Sequence, residues 1–186
     1  RDYLFSPAVF SQVNPSIVPT MLAEARRLAG GGERLWDLYC GYGLFAVALA
    51  AGFASVVGVE ASAEAVACAR ANAARSGQGG ASLQFHHLHI TGPTLAALFK
   101  ATPAADEALI LDPPHAGAPA PVVLAAGARR ARRVVHVFCN TARIPADAAV
   151  WRKAGYRVGE IVPLDMFPGT PELETLVCLE PGAPPA

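Results

Sequence analysis

The sequence predicts an α/β fold, a mostly parallel, doubly wound sheet whose last two strands form an antiparallel hairpin. Three observations lead to this prediction: apolar runs alternate with segments of helical periodicity, a glycine-rich turn follows the first run, and no helix pattern separates the last two runs. Among 186 residues, 53% are hydrophobic and 16% are charged, which suits one domain with a large buried core.

The elements follow one another in a regular order. A helix pattern at residues 19–28 comes first, after an irregular stretch at 5–15. Gly, Pro or Asp then punctuates each change of period, which predicts strand 34–39, helix 44–51, strand 54–60, helix 62–76, strand 82–87, helix 93–100, strand 107–111, helix 119–128, strand 133–138, helix 145–154, and strands 156–163 and 174–180. The chain therefore divides into a lead-in segment and helix (1–33), a sheet domain (34–180) and a tail (181–186) whose composition predicts disorder.

Charge is balanced overall, with 15 Lys and Arg against 15 Asp and Glu, so the whole molecule has no general attraction for a polyanion. The distribution is uneven, because Arg129, Arg130, Arg132 and Arg133 cluster just before strand 133–138. Two interpretations stay open. The cluster could form an RNA-facing rim, or it could be a solvated helix end with arginines near the terminal carbonyls.

The four cysteines lack CxxC spacing, which argues against a zinc or iron–sulfur site and predicts reduced thiols in a cytosolic protein. The alternating His86, His87 and His89 have no carboxylate or cysteine partner nearby and are predicted to be strand residues, so no metal is expected. No signal peptide is visible, and no apolar run approaches the roughly 20 residues of a membrane span.

The turn after the first strand predicts a cofactor site. Gly41 and Gly43 allow positive φ and close approach of a ligand, and the helix that follows offers unpaired amide groups. Glu60 stands 23 residues after Asp37, at the next strand end, where a carboxylate can accept both ribose hydroxyls. The short GxG form is typical of enzymes that bind S-adenosylmethionine. The alternative is an ordinary tight turn with Glu60 at an exposed strand end.

Two further strand ends carry polar groups. Asp112 begins a DPPH segment whose prolines stop the strand, so its carboxylate is expected to contact the cofactor or a target base, with a helix N-cap as the alternative. Cys139 follows an apolar strand and precedes Asn140, which places its thiol at the ligand edge of the sheet. It is either a nucleophile, for which nearby positive charge such as Arg143 would favour the thiolate, or a small apolar filler.

Six blocks together resemble the catalytic domain of the RNA uridine-5 methyltransferases, in that family's order and over nearly the whole chain: FSQVNP (10–15), LWDLYCGYG (35–43), VVGVEASAEAVACARANA (56–73), DPPHAG (112–117), FCN (138–140) and DMFPGTPELE (165–174). The resemblance implies a Rossmann-like methyltransferase fold, S-adenosylmethionine as cofactor, tRNA or rRNA as partner, and a cytoplasmic, monomeric enzyme.

The resemblance also implies roles for individual residues. Within the family's pattern, Cys139 matches the nucleophile that attacks uracil C6, and Glu174 matches the base that removes the C5 proton. Asn140 and Arg143 are assigned to the substrate. Cofactor contacts are implied for Gln12, Asp37, Gly41, Tyr42, Gly43, Glu60 and Asp112.

The sequence departs from the family at several places, among them the segment FHHLHITG (85–92), which lacks the acidic residue expected after the third strand. Phe138 and Thr141 flank the Cys-Asn pair where the family has Ser and Pro, His115 replaces an arginine, Ala146 replaces the arginine before Asp147, and Glu172 replaces a histidine. Three functions therefore stay open. Uracil-C5 methylation of RNA is favoured over a methyltransferase with another acceptor and over an RNA-binding relic with weakened catalysis.

Overall fold

The computed structural model describes residues 3–7, 14–77, 82–166, 168–170 and 173–182. The described residues form seven strands: β1 (Gly32–Leu38), β2 (Phe53–Glu60), β3 (Ser82–His87), β4 (Glu107–Leu111), β5 (Arg133–Phe138), β6 (Tyr156–Leu164) and β7 (Glu174–Pro181). They also form six α-helices: α1 (Val18–Ala29), α2 (Leu44–Leu49), α3 (Ala63–Arg75), α4 (Gly92–Ala101), α5 (Ala120–Ala128) and α6 (Ile144–Lys153).

The strands make one sheet in the order β3-β2-β1-β4-β5-β7-β6. Strands β1 to β5 run parallel, and β7 is antiparallel to both of its neighbours. The predicted fold class, including the antiparallel hairpin at the C-terminal end, is confirmed. The hairpin folds back so that β7, and not β6, lies beside β5.

Side chains alternate between the two faces of the sheet and build two cores. Leu35, Ile110, Val137 and Leu176 face the core that α1, α2 and α3 cover. Their sequence neighbours face the second core, beneath α4, α5 and α6: Trp36, Leu109, Leu111, Phe138 and Val177. The same alternation shows which face each polar residue at a strand end belongs to, because residues i and i+2 of a strand point to the same face of the sheet.

By this alternation, Asp37, Asp112 and Glu174 belong to the α1–α3 face, because each stands two positions from an apolar member of that core. Cys139 stands two positions after Val137 and has the same assignment. The parallel strands end, and β7 begins, at one edge of the sheet, so the four residues converge on one side of that edge. This is the position at which open α/β sheets bind their ligands.

The arginine cluster lies at the opposite edge, where β4 and β5 begin. Arg129, with 8% of its side chain exposed, donates two hydrogen bonds of 2.5 and 2.6 Å to Glu107. It also donates to the carbonyls of Phe99 and Thr102, at the end of α4. Arg132 pairs with Asp106 and Arg133 with Glu180. The helix-end interpretation of the cluster therefore fits the structure better than an RNA-facing rim.

Within the described part of the chain, no helix combines the length and apolar character needed to cross a membrane. Residues 183–186 of the predicted tail and residues 8–13 of the lead-in segment lie outside the described residues.

Candidate active site

The glycine turn after β1 is shaped by left-handed backbone conformations. Tyr39, Gly41 and Gly43 have φ values of +62°, +52° and +84°, and the Gly43 amide closes the turn on the Cys40 carbonyl at 2.8 Å. A Cβ on Gly43 would also lie 3.2 Å from the Cβ of Ala69 on α3. Gly43 is therefore required both by its backbone conformation and by the close approach of a helix.

Two carboxylates hold this turn in place. Oδ2 of Asp37 accepts a 2.8 Å hydrogen bond from the Ala46 amide in the first turn of α2. Glu60 accepts from the Gly41 amide through Oε2 at 3.1 Å and from the Ser62 amide through Oε1 at 2.8 Å. Each Glu60 oxygen keeps further acceptor capacity, since a carboxylate oxygen has two lone pairs. Both predicted acids thus shape the turn in addition to any contact with a ligand.

Asp37 carries an unsatisfied atom. Its side chain is fully buried, and Oδ1 has no hydrogen-bond partner among the described residues. Burial raises the pKa of this carboxyl well above its usual range, and the negative charges of Asp112 and Glu60 raise it further. A buried oxygen without a donor, among like charges, is the environment that a cationic or hydrogen-bond-donating ligand stabilises.

Tyr42 turns its side chain away from the sheet edge. Its ring is buried against Tyr3 and Phe5 of the lead-in segment, with ring centroids 5.8 and 5.7 Å apart. Its carbonyl accepts a 2.9 Å hydrogen bond from Nδ2 of Asn72. The ring of Tyr42 therefore packs against the lead-in segment, and its carbonyl is held by α3. The predicted cofactor residue Gln12 lies outside the described residues.

Sequence analysis did not select Asn72, which lies in α3 with 4% of its surface exposed. It binds Leu4 of the lead-in segment as well as the carbonyl of Tyr42. One signal was present: a single asparagine interrupts the alanine-rich run ARANAAR at a position that the helix period places on the buried face.

Asp112 and Glu174 form a pair of carboxyls with shifted titration. Glu174 is only 3% exposed, and burial raises its pKa to about 7. The pKa of Asp112, at the end of β4, is also raised to about 7, first by burial and then by the charge of Glu174. The backbone of Asp112 is fixed by its amide, which donates to the Leu38 carbonyl at 3.2 Å. Two neighbouring carboxyls with raised pKa values, at the edge where a sheet of this kind binds its ligand, are typical of a functional site.

The sheet register brings Glu174 to Cys139. In the β5–β7 ladder, Phe138 pairs with Thr175 and Val137 with Leu176. Extending this antiparallel register by one residue places Cys139 opposite Glu174, and opposed residues have Cβ atoms about 5 Å apart. The thiol is half-buried at the strand end, whereas Cys40 and Cys178 are buried in the core. Of these three cysteines, Cys139 is the one at the ligand edge.

Cys139, Asn140 and Arg143 line one small cleft together with the DPPH segment, and the full lining is Pro113, Pro114, His115, Gly117, Val137, Phe138, Cys139, Asn140 and Arg143. The guanidinium of Arg143 lies directly over Gly117, where an added Cβ would come within 2.2 Å of Nε. Its Nη2 donates to Oδ1 of Asp147 at 3.1 Å. Arg143 is thus the ion-pair partner of Asp147, one helical turn further along the chain.

The other side of β5 explains the replacement at Phe138. Its ring stacks on His136, with centroids 4.0 Å apart, and Nε1 of Trp151 donates to Nδ1 of His136 at 3.1 Å. Burial, and then the charge of Arg143, lower the pKa of His136 to about 3, so the imidazole is neutral. The packing of Phe138, His136 and Trp151 thus supports the strand end from the side of the second core.

Two of the three alternating histidines are strand residues as predicted, whereas His89 lies beyond the end of β3. In the β2–β3 ladder His87 pairs with Glu60. His86 and His87 end β3, and Nε2 of His87 lies 3.0 Å from the Ala61 carbonyl. Among the described residues, no group of three His, Cys, Asp or Glu side chains is arranged to hold a metal ion.

Comparison with known proteins supports the resemblance that the motifs carry. Residues 2–85 match the family model described as tRNA (Uracil-5-)-methyltransferase. The 23S rRNA (uracil(1939)-C(5))-methyltransferases RlmD of Shewanella sp. (strain ANA-3) and Pseudomonas aeruginosa (strain UCBPP-PA14) are each 37% identical over 183 residues, covering 95% and 96% of this chain. The chain spans 38% and 39% of the length of these relatives.

Solved structures agree with the fold. The Pyrococcus abyssi tRNA (uracil-54, C5)-methyltransferase in complex with S-adenosyl-L-homocysteine matches with a TM-score of 0.77 and 29% identity, over 96% of this chain and 42% of that one. The magnesium protoporphyrin IX methyltransferase of Synechocystis PCC 6803 with bound SAM, at 18% identity and a TM-score of 0.64 over 90% of this chain and 77% of that one, shows the fold alone.

Proposed function

Because this chain belongs to the RNA uridine-5 methyltransferase family, we propose that it methylates C5 of a uridine in tRNA or rRNA, with S-adenosylmethionine as methyl donor. Cys139 is the covalent nucleophile and Glu174 the base. The observation that carries this assignment is the β5–β7 register. Extended by one residue beyond the pair of Phe138 and Thr175, it brings Cys139 opposite Glu174, a buried carboxyl of raised pKa. Such a substrate implies a cytoplasmic enzyme.

The residues at the sheet edge fit S-adenosylmethionine. When bound, this cofactor supplies an electrophilic methyl group from a positively charged sulfur. Asp37, Glu60 and Asp112 present carboxylates to one side of the edge, where no Lys or Arg from the described residues pairs with them. Glu60 would accept the ribose hydroxyls, the backbone of the 41–43 turn would border the ligand, and Asp112 would face its charged end. Gln12 would complete the site.

Cys139 makes uracil reactive. Carbon 5 of uracil is a poor nucleophile, so addition of the Cys139 thiolate to C6 comes first. A bond forms between Sγ and C6, and the electrons of the C5–C6 double bond move toward O4 as an enolate. The enolate carbon C5 would then bond to the sulfonium methyl group as the bond from that methyl to sulfur breaks, and S-adenosylhomocysteine would be the leaving group. C5 would then carry both the methyl and its original hydrogen.

Glu174 completes the reaction. It takes the proton from C5, the electrons restore the C5–C6 double bond, and the bond between C6 and Sγ breaks to release Cys139. A pKa near 7 suits this step, because a general base works best when its pKa is close to the operating pH. The proton ends on Glu174, and the thiolate is regenerated.

The cleft beside Cys139 would hold the target base. Asn140 can both donate to and accept from the polar edge of uracil, and Arg143 brings a positive charge to the same cleft. A thiol can reach C6 only from the face of the ring, so the uridine must leave its stack to enter the cleft.

A covalent-trapping experiment tests the proposal. RNA containing 5-fluorouridine, as a 23S rRNA fragment or as tRNA, is incubated with S-adenosylmethionine, and products are analysed by denaturing electrophoresis and mass spectrometry. Fluorine cannot leave as a proton, so wild type should accumulate a methylated protein–RNA adduct. Cys139→Ser should abolish it, whereas Cys68→Ser, on the half-buried side of α3, should not. The RNA that reacts identifies the substrate class.

Two outcomes would contradict the proposal in different ways. If Cys139→Ala still methylates ordinary RNA, the acceptor is another atom and no covalent step is needed. If neither RNA forms an adduct although S-adenosylhomocysteine binds, the chain is a binding module in which the thiol does no chemistry.

A further inference from the structure

Asn72 connects the lead-in segment to the glycine turn. Its Oδ1 accepts a 2.7 Å hydrogen bond from the Leu4 amide, and its Nδ2 donates to the carbonyls of Leu4 at 2.8 Å and Tyr42 at 2.9 Å. Both amide hydrogens and one lone pair are therefore used, and the orientation of the side chain is fixed by its partners. A helix side chain with 4% exposure thus holds two segments that are far apart in sequence.

The turn has three polar supports, and each acts at a different residue. Glu60 holds the amide of Gly41, and Asp37 holds that of Ala46. Asn72 holds the carbonyl of Tyr42, between those two points. Because Gly41 and Gly43 have wide conformational freedom, the path of the backbone between them depends on such contacts.

The lead-in segment adds an aromatic layer to this support. Tyr3 and Phe5 pack on the buried ring of Tyr42, and the Tyr3 hydroxyl donates to the Leu44 carbonyl at 3.3 Å. Phe5 remains 51% exposed, so its ring buries little apolar surface. The position of residues 3–5 therefore depends strongly on the hydrogen bonds of Leu4 to Asn72. Loss of those bonds would free the turn and the segment together.

We propose that Asn72 is a positioning residue for the cofactor, and that through it residues 3–5 form a strap whose attachment sets the cofactor affinity of the 41–43 turn. This inference rests on the proposed cofactor site. It extends the site to a residue about 30 positions beyond the turn, which touches no cofactor itself. Binding of the cofactor and attachment of the strap stabilise the same backbone conformation, so each should favour the other.

Matched substitutions at Leu4 test the strap without altering Asn72. Leu4→Pro removes the amide that donates to Asn72, whereas Leu4→Ala keeps it and changes only an exposed side chain. Calorimetric titration with S-adenosylhomocysteine should show affinity reduced about tenfold in Leu4→Pro and near wild type in Leu4→Ala, because loss of one or two buried hydrogen bonds is worth about a factor of ten.

Variants of Asn72 provide the second arm. Asn72→Asp is isosteric but has no N–H to donate to the two carbonyls, so it should weaken binding at least about tenfold, as Asn72→Ala should. The double variant Leu4→Pro/Asn72→Ala should bind no more weakly than the worse single variant, because the hydrogen bond that Leu4→Pro removes is already absent in Asn72→Ala. In turnover, the KM for S-adenosylmethionine should rise, while kcat and the KM for RNA stay unchanged.

The outcomes separate this inference from the proposed function. If wild type fails to bind S-adenosylhomocysteine, the cofactor proposal fails and the inference fails with it. If wild type binds and Leu4→Pro binds as tightly as Leu4→Ala, only the strap is refuted. If the Asn72 variants lower kcat in proportion to the folded fraction, with no change in KM, Asn72 is merely structural and the inference is wrong.

Discussion

The two edges of the sheet treat buried carboxylates in opposite ways. At the edge where β4 begins, Glu107 is 3% exposed and is held by Arg34 and Arg129. Burial alone would raise its pKa, but these hydrogen bonds outweigh burial and lower it. At the ligand edge, Glu174 is equally buried, and its pKa is raised to about 7.

The pKa of a buried carboxyl therefore depends on whether cations pair with it. A buried carboxyl that pairs with cations has a lowered pKa and stays ionised. A buried carboxyl without cations has a raised pKa and takes up a proton more readily. The clustered Arg129, Arg132 and Arg133 make their ion pairs at the first edge, although the sequence places them next to β5, the strand that precedes Cys139. The ligand edge is thus left acidic, which suits a positively charged cofactor and a proton acceptor.

The largest effect expected from this comparison is the loss of the base. Glu174→Gln should reduce the methylation rate about 10²–10⁴-fold, the range that general acid–base catalysis contributes, because the amide cannot take the C5 proton. The methylated covalent adduct with ordinary RNA should then accumulate on denaturing gels. Glu172→Gln, two residues away, is the control and should keep the rate. The reverse result would move the base to Glu172.

At the other edge, the largest effect should be on stability. Glu107→Gln leaves the buried Arg129 without its counter-charge and should lower the free energy of unfolding by about 3–5 kcal/mol. Urea denaturation measures this loss, and the rate per folded molecule should not change. Glu180→Gln, at a more exposed ion pair, should cost less than about 1 kcal/mol. Equal losses in the two variants would contradict the contrast drawn between buried and exposed pairs.

The two edges should also give opposite pH dependences. Glu174 binds its proton more tightly when folded, so its contribution makes the fold less stable as pH rises from about 4.5 to about 7 and is constant above that. Glu107 has a lowered pKa, so its stabilisation is present above about 4.5 and is lost as pH falls.

Urea denaturation between pH 4 and 8 isolates each contribution when wild type is compared with a Gln variant. The advantage of Glu174→Gln over wild type should grow as pH rises through this window, and the penalty of Glu107→Gln should shrink toward its acidic end. In the same range, the methylation rate of wild type should rise with pH to a plateau above about 7, as Glu174 ionises. A rate independent of pH would argue against Glu174 as base.

The smallest effects should come from the exposed arginines. Arg132→Ala breaks an exposed ion pair with Asp106 and should change the free energy of unfolding by less than about 1 kcal/mol. RNA affinity should stay unchanged, because this residue lies at the edge opposite the cleft.

Arg143→Ala, within the cleft, should lower kcat/KM for RNA about tenfold, the value of one lost charged hydrogen bond. If Arg132→Ala lowered kcat/KM for RNA more than Arg143→Ala does, the interpretation of the arginine cluster as an RNA-facing rim would be correct.

Local signals predicted much of the fold. Periodicity and punctuation located every strand and α-helix that the described residues form, with ends that differ by a few residues, because each pattern depends on neighbouring side chains. The short 3-10 helix Thr141–Arg143 was not predicted. The order β5-β7-β6 could not be obtained in that way, since either hairpin strand could have paired with β5. Pairing of strands depends on contacts between segments that are distant in sequence, and local patterns carry no information about those contacts.

The residues of the candidate site also fall into two groups, those that local sequence predicts and those that depend on tertiary contacts. Local patterns were enough to predict which groups stand at strand ends: the glycines of the turn, Asp37, Glu60, Asp112 and Cys139. The position of β7 beside β5 became known from the folded structure. Its register, extended by one residue, brings Glu174 opposite Cys139, and burial there raises the pKa of Glu174. The tertiary structure alone also joined Asn72 to Leu4 and Tyr42. Register and desolvation arise from the packing of segments that are distant in sequence, and no local pattern contains them.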